Sequence, residues 1–140
     1  SKMYGMAGLR VGYAMGQAAL LDRLAAWSLP MSVNTLGLHA AIAALEDTGF
    51  EARERARNAE ARAFTAQRLQ ALGATVAPTH ANFLMADLKR DTVAFARACR
   101  AAGVAVGRAF PPLLTHSRIS IGTLPEMQRA CAVFERVLRA

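Results

Sequence analysis

The residues best equipped for chemistry stand at the start of the chain, where Lys2 and Arg10 enclose Gly5 and Gly8, and Gly12 follows. A lysine offers a primary amine, nucleophilic when neutral, and an arginine offers a planar fork of donors matched to phosphate or carboxylate oxygens. Glycines, lacking Cβ, let backbone N–H groups approach such an anion closely. The order excludes the common nucleotide loops: Lys2 precedes the glycines, so neither GxxxxGK[ST] nor GxGxxG is present. Two readings stay open on these residues alone. One is a phosphate-binding segment with an adjacent amine; the other is a strand whose surface Lys and Arg are joined by a glycine-rich turn.

Three further polar positions deserve a role or a dismissal. Arg118 begins an alternating strand in which Ile119 and Ile121 point away from it; on spacing alone it is an exposed strand-end arginine in a surface ion pair, worth about 0–1 kcal/mol. Arg108 stands just before Phe110-Pro111-Pro112, where a loop arginine is ordinary. The Asn82 carboxamide either meets a ligand or closes a local backbone turn, the second being commoner. His39, His80 and His116 form neither a metal-ligand spacing nor a triad, so no metal is expected. Cys99 and Cys131 fall at apolar helix positions and read as reduced core residues. Tyr4 and Tyr13 read as packing residues.

These residues need a scaffold, and the apolar pattern supplies one. Gly8 to Gly16 alternates as a short strand, with Leu9, Val11 and Tyr13 on one face and Arg10, Gly12 and Ala14 on the other. A helix is predicted over Gln17 to Trp27, carrying Leu20, Leu21 and Leu24 and ending before Pro30. A second, from Thr35 to Asp47, is apolar nearly all round and is expected to be buried. Glu51 to Leu72 forms a long helix with a small-residue stripe at Ala52, Ala56, Ala59, Ala63 and Ala66, stopping at Gly73; so thin an apolar face suits a helix that bridges two units. Strands are then expected near Thr75 to Ala77 and Ala81 to Leu88, followed by a helix from Thr92 to Ala102 that stops at Gly103. Strands Val104 to Val106 and Arg118 to Ile121 flank the loop with Pro111 and Pro112. The last helix opens with a capping box, Thr123 and Glu126, and buries Met127, Ala130, Cys131, Phe134 and Leu138. This order makes a small α+β unit from about residue 74 onward.

At 140 residues and 54% hydrophobic, the chain carries enough apolar side chain for a core, which excludes disorder. Its longest apolar stretch, Leu36 to Leu45, is interrupted by His39 and falls short of the roughly 18 residues that span a bilayer, so no membrane partner is expected. The net charge of +7 comes from scattered arginines with no interleaved aromatics, which argues against nucleic acid. The start lacks the order of a secretory signal, but a chain that begins inside a motif leaves the compartment open on that account; the location expected for the chain is cytoplasmic.

The particular string Ser1-Lys2-Met3-Tyr4-Gly5-Met6-Ala7-Gly8-Leu9-Arg10-Val11-Gly12 resembles the active-site segment of fold-type I pyridoxal-phosphate aminotransferases (class I/II), above all those similar to histidinol-phosphate aminotransferase. Asn34-Thr35-Leu36 with Ala41 to Asp47, Ala81-Asn82-Phe83, Val106-Gly107-Arg108 with Phe110-Pro111-Pro112, and Arg118-Ile119-Ser120-Ile121-Gly122-Thr123 recur in that family in this order. The resemblance covers nearly the whole chain. It implies an α/β chain that is the carboxy-terminal part of the fold: the end of the large parallel-sheet, cofactor-binding domain (1–50), a linking helix (51–73) and a small α+β domain (74–140). It implies pyridoxal 5'-phosphate as cofactor and transamination between an amino acid, or a histidinol-phosphate-like amine, and a 2-oxo acid. Lys2 would form the internal aldimine and move the substrate's α-proton; Ser1 and Arg10 would hold the cofactor phosphate. Arg118 would grip the α-carboxylate, and Arg108, more weakly, a phosphate or carboxylate on the substrate side chain, with Asn82 a further, weaker substrate contact. The family's pyridine-nitrogen aspartate and ring-stacking aromatic lie upstream of the lysine, so an amino-terminal segment of the same protein is an implied partner, as is a second subunit in a homodimer. A decarboxylase of an amino-acid phosphate on the same scaffold, the sensing module of an aminotransferase-like transcription regulator, and an α+β domain without cofactor are the competing readings.

Overall fold

The computed structural model describes residues 2–140. It is mixed α/β and divides into two compact units, Ser1–Glu54 and Arg55–Ala140, the division falling near the start of its longest helix. In the first unit a 3-10 turn, Ala7–Leu9, ends at Arg10, whose backbone is left-handed (φ 53°, ψ 46°). The strand expected over Gly8 to Gly16 does not form. A strand exists only where a neighbour satisfies its N–H and C=O groups, and among the described residues none pairs with this segment.

The helix α1, Ala18–Ala25, follows, slightly shorter than its apolar spacing suggests, and α2 spans Thr35–Glu46 behind the N-cap Asn34. Only Gly37 of α2 is buried; Leu36 is 76% exposed, and Leu38, Ile42 and Leu45 are also exposed. The expectation of a buried α2 therefore fails among the described residues: capping and propensity set the helix, but its apolar faces have no cover there. A turn at Asp47, braced by an Arg53–Asp47 ion pair of 2.8 Å, leads into α3, Phe50–Ala71. Tyr4 reads correctly as a packing residue, stacking on Phe50 with ring centroids 5.2 Å apart. Tyr13 is 80% exposed and packs on nothing in the same way.

In the second unit α3 buries Ala61, Thr65 and Leu69. The stripe from Ala52 to Ala63 is exposed and Ala66 half-buried, because a leucine at Leu69 removes far more apolar surface from water than any alanine. Thr65 tolerates full burial since its hydroxyl donates to the Ala61 carbonyl at 2.7 Å. After Gly73, left-handed at φ 88°, an antiparallel sheet forms from β1 (Thr75–Val76), β2 (Phe83–Asp87) and β3 (His116–Ser120), in that spatial order. Leu84 and Ala86 of β2, with Ser117 and Ile119 of β3, face inward. Between β2 and β3 lies α4, Thr92–Ala101, capped by Asp91. The strand expected at Val104 to Val106 is not part of the sheet; its neighbour Gly107 makes a single bond, N–H to the Arg118 carbonyl at 2.9 Å, too little for a ladder.

The last helix, α5 (Leu124–Arg139), carries the expected capping box, with Thr123 accepting from the Glu126 N–H and Glu126 accepting from the Thr123 N–H. It buries Met127, Cys131 and Phe134, while Ala130 and Leu138 are half-buried. Phe134, 1% exposed, lies against Phe95 of α4 with ring centroids 5.6 Å apart. Cys99 and Cys131 are buried and unbridged, and burial pushes the Cys99 thiol up to about 11, away from nucleophilic use.

Phe134→Ala should therefore lower unfolding free energy by about 3–5 kcal/mol in denaturant titration, and a loss below about 1 kcal/mol would mean that this face of α5 is not the core. The Thr123 N–H holds the Glu126 carboxylate below its ordinary value of 4.5, so its stabilisation is present above that pH and disappears as pH falls through the lowered value. The stability gap between the protein and its Glu126→Gln variant should thus narrow on acidification below 4.5; a gap that stays constant counts against the box.

Candidate active site

In the first unit the Lys2 carbonyl accepts the Gly5 N–H at 3.2 Å, closing a turn that the left-handed Gly5 (φ 64°) permits. Lys2 itself is exposed. The 3-10 turn then delivers Arg10, whose guanidinium folds back to donate to the Ala7 carbonyl at 2.7 Å. The side chain is exposed, and among the described residues no carboxylate pairs with it. Ser1, the other expected phosphate ligand, lies outside the described residues.

What fixes this loop is Asn34. Its Oδ1 accepts the Gly37 N–H at 2.7 Å, the ordinary N-cap bond, and its Nδ2 donates to the Leu9 carbonyl, also at 2.7 Å. Gly37 makes the approach possible, because a Cβ there would sit 2.8 Å from the Leu9 oxygen. The peptide just before Arg10 is thus gripped by the first turn of α2. Asparagine ahead of a helical pattern is a legible cap signal; its second bond, 25 residues back along the chain, is not.

In the second unit Arg118 stands on the sheet face opposite Ser117 and Ile119, directly across from Met85 and diagonal to Phe83. Its guanidinium carbon lies 4.2 Å from the Phe83 ring centroid, a cation–π contact. The arginine is half-buried, and among the described residues it has no carboxylate partner. The surface ion pair expected on spacing alone is therefore absent there, and the guanidinium keeps donors for an external anion. Gly107 packs tightly over this strand, since a Cβ on it would be 2.7 Å from the Arg118 carbonyl oxygen. Phe83 is the site residue that sequence reasoning missed.

Arg108 is exposed and lies over Phe110, its guanidinium carbon 4.5 Å from the ring centroid, likewise with no carboxylate partner among the described residues. Asn82 also departs from expectation. The local turn is closed by Thr79, whose hydroxyl accepts the Ala81 N–H at 3.0 Å, so the exposed Asn82 carboxamide has no hydrogen-bond partner among the described residues. A groove of about 590 Å³ lined by Val104, Val106, Ile121, Glu126 and Arg129 includes none of these candidates.

Two arrangements result. Lys2 and Arg10 share the first unit, offering an amine and a guanidinium on one braced loop, a donor set that fits an aldehyde bearing a phosphate. Asn82, Arg108 and Arg118 share the second, which suits carboxylate or phosphate recognition.

Comparison with known proteins gives the family. The family model described as aminotransferase class I and II matches residues 1–134. A histidinol-phosphate aminotransferase of Nitratidesulfovibrio vulgaris (strain DP4) is 38% identical over 143 residues, which is 99% of this chain and 37% of that protein. Histidinol-phosphate aminotransferase 2 of Methylococcus capsulatus is 42% identical over 142 residues, 99% of this chain and 38% of that protein. The chain thus spans under two fifths of these curated relatives. The crystal structure of histidinol-phosphate aminotransferase from Sinorhizobium meliloti in complex with pyridoxal-5'-phosphate superposes with a TM-score of 0.87 at 27% identity, covering 99% of this chain and 39% of that one. The elements fit the carboxy-terminal portion of that fold. With a match that runs almost from end to end, the chain belongs to the class I and II aminotransferase family.

Proposed function

We propose that this chain supplies the lysine, one phosphate-binding arginine and the carboxylate-binding arginine of a pyridoxal-phosphate-dependent aminotransferase. The enzyme moves an amino group from an amino acid, or a histidinol-phosphate-like amine, to a 2-oxo acid. Arg118 carries the reading: a half-buried guanidinium braced on Phe83 and left without a carboxylate partner among the described residues is built for a substrate anion. A fork of this kind takes a carboxylate through two parallel hydrogen bonds and so orients the bond to be broken.

When bound, the cofactor supplies an electron sink for the charge that develops at the substrate's α-carbon. This chain's own groups do the rest. The Lys2 amine would hold the cofactor through its aldehyde and, once displaced by the substrate's amino group, would take and return the α-carbon proton. Arg10, with Ser1 beside the lysine in sequence, anchors the cofactor phosphate. Arg118 holds the α-carboxylate, Arg108 reads a phosphate or carboxylate on the substrate side chain, and Asn82 adds an orienting contact. Residues 1–50 then close the large cofactor-binding domain, 51–73 link, and 74–140 form the small domain. An amino-terminal segment of the same protein and a second copy complete the site, in the cytoplasm.

In the full-length protein with added pyridoxal phosphate, Lys2→Ala should reduce 2-oxo acid production by at least about 10²-fold. Undiminished turnover would refute the assignment of Lys2, and release of carbon dioxide in place of a 2-oxo acid would identify a decarboxylase instead. The 140 residues alone should give no turnover. A panel of donors including histidinol phosphate and aromatic amino acids separates the arginines. Arg118→Ala should lower kcat/KM for every donor by about 10- to 100-fold, whereas Arg108→Ala should do so only for phosphorylated ones. Equal losses across the panel in both variants would overturn that division.

A further inference from the structure

The Ala81 carbonyl, one residue before Asn82, is gripped by two side chains from α3. Asn58 and Arg62 stand four residues apart, so their side chains neighbour one another on a single helix face. Asn58 Nδ2 donates to the Ala81 oxygen at 3.3 Å and Arg62 Nη1 at 3.1 Å, both half-buried. Two donors use both lone pairs of that oxygen. Arg62 spends its guanidinium on a neutral carbonyl, and among the described residues no carboxylate competes for it.

The rest of this corner is equally tied. The Ala81 N–H donates to Thr79 Oγ1 at 3.0 Å, and the Asn82 carbonyl accepts the Ile121 N–H at 2.9 Å. Phe83, the next residue, opens β2 opposite Ser120, and its ring is the platform under Arg118. A β-strand entry needs only its ladder bonds, so the pair from α3 fixes more than the sheet requires. What it fixes is the short segment bearing the Asn82 carboxamide, which has no hydrogen-bond partner among the described residues, and the support of the Arg118 guanidinium, which has no carboxylate partner among them.

We propose that Asn58 and Arg62 are positioning residues for substrate anion binding. By holding the Ala81 carbonyl they set the Asn82 carboxamide and, through the Phe83 ring, the Arg118 guanidinium. Neither touches substrate. This rests on the reading that Arg118 binds the substrate's anionic group. Misplacement of a binding group by about 1 Å is enough to lose orders of magnitude in rate.

The test uses full-length protein with pyridoxal phosphate and three variants. Arg62→Met keeps the apolar stem and removes the donors; Arg62→Lys keeps a donor; Asn58→Ala removes the second grip and serves where Arg62→Met does not fold. Arg62→Met should raise KM for an amino-acid donor about tenfold with kcat within about twofold, Asn58→Ala should raise it about threefold, and Arg62→Lys should restore most of the loss. The absorbance of the bound cofactor should be the same in all. A lowered melting temperature with KM unchanged in both Arg62→Met and Asn58→Ala shows a purely structural role and overturns the proposal. Calorimetric titration with 2-oxoglutarate reads the Arg118 site without turnover. If the wild type turns over no donor, the aminotransferase reading fails by itself, while equal 2-oxoglutarate affinity in wild type and variants overturns the positioning role.

Discussion

The register between β2 and β3 decides where the Arg118 guanidinium lies. With Met85 opposite Arg118 and Phe83 opposite Ser120, Arg118 shares a sheet face with the Phe83 ring, while Ser117 and Ile119 enter the core. A slip of one residue would turn every β3 side chain to the other face. Ile119 would leave the core and its place opposite Leu84, and the Arg118 guanidinium would be driven into the apolar interior, at a penalty of several kcal/mol. The core therefore specifies the site: packing that buries Ile119 is the same packing that presents Arg118. Gly107 reinforces it, because the chain passes so close over the Arg118 backbone that no side chain fits between them.

Local signals were legible in the sequence and pairwise ones were not. The capping box at Thr123 and Glu126, the stops at Gly73 and Gly103 and the helical spacing of Leu20, Leu21 and Leu24 each act within a few residues, and the elements they announce are present. The strand read over Gly8 to Gly16 was plausible by alternation, but alternation describes side chains, whereas a strand depends on backbone partners from elsewhere. Val104 to Val106 fails for the same reason. The alanine stripe of α3 misled because small residues at helical spacing do not say which face meets the core; the buried face carries Ala61, Thr65 and Leu69 instead. Burial of α2 was inferred from its composition, yet cover must come from other residues, and this chain is under two fifths the length of its curated relatives.

The site shows the same division. Lys2, Arg10 and Arg118 could be singled out because amine and guanidinium chemistry is carried by residue type and the surrounding strings are distinctive. Phe83 could not, since its place under Arg118 is a diagonal neighbour relation that exists only once register is set. Asn34 was visible as part of a recurring string. Its bond to Leu9 belongs to tertiary structure.

Both units use one device to steady a residue proposed to bind. A backbone carbonyl immediately before it is held by side chains from a helix: Leu9, before Arg10, by Asn34, and Ala81, before Asn82, by Asn58 and Arg62. Loops are otherwise free to move about their soft dihedrals, and a binding group on a loop loses orientation with them. Holding the preceding peptide plane removes much of that freedom, because the plane fixes where the next residue starts; it leaves the Asn82 carboxamide without a hydrogen-bond partner among the described residues, while Arg10 also gives one donor to the Ala7 carbonyl. A hydrogen bond made directly to the binding side chain would steady it too, but would occupy the donors that the ligand needs. Pinning the carbonyl upstream separates the two requirements: the fold places Asn82 without using its carboxamide, and it places Arg10 with one guanidinium donor engaged, leaving the others for the proposed anion.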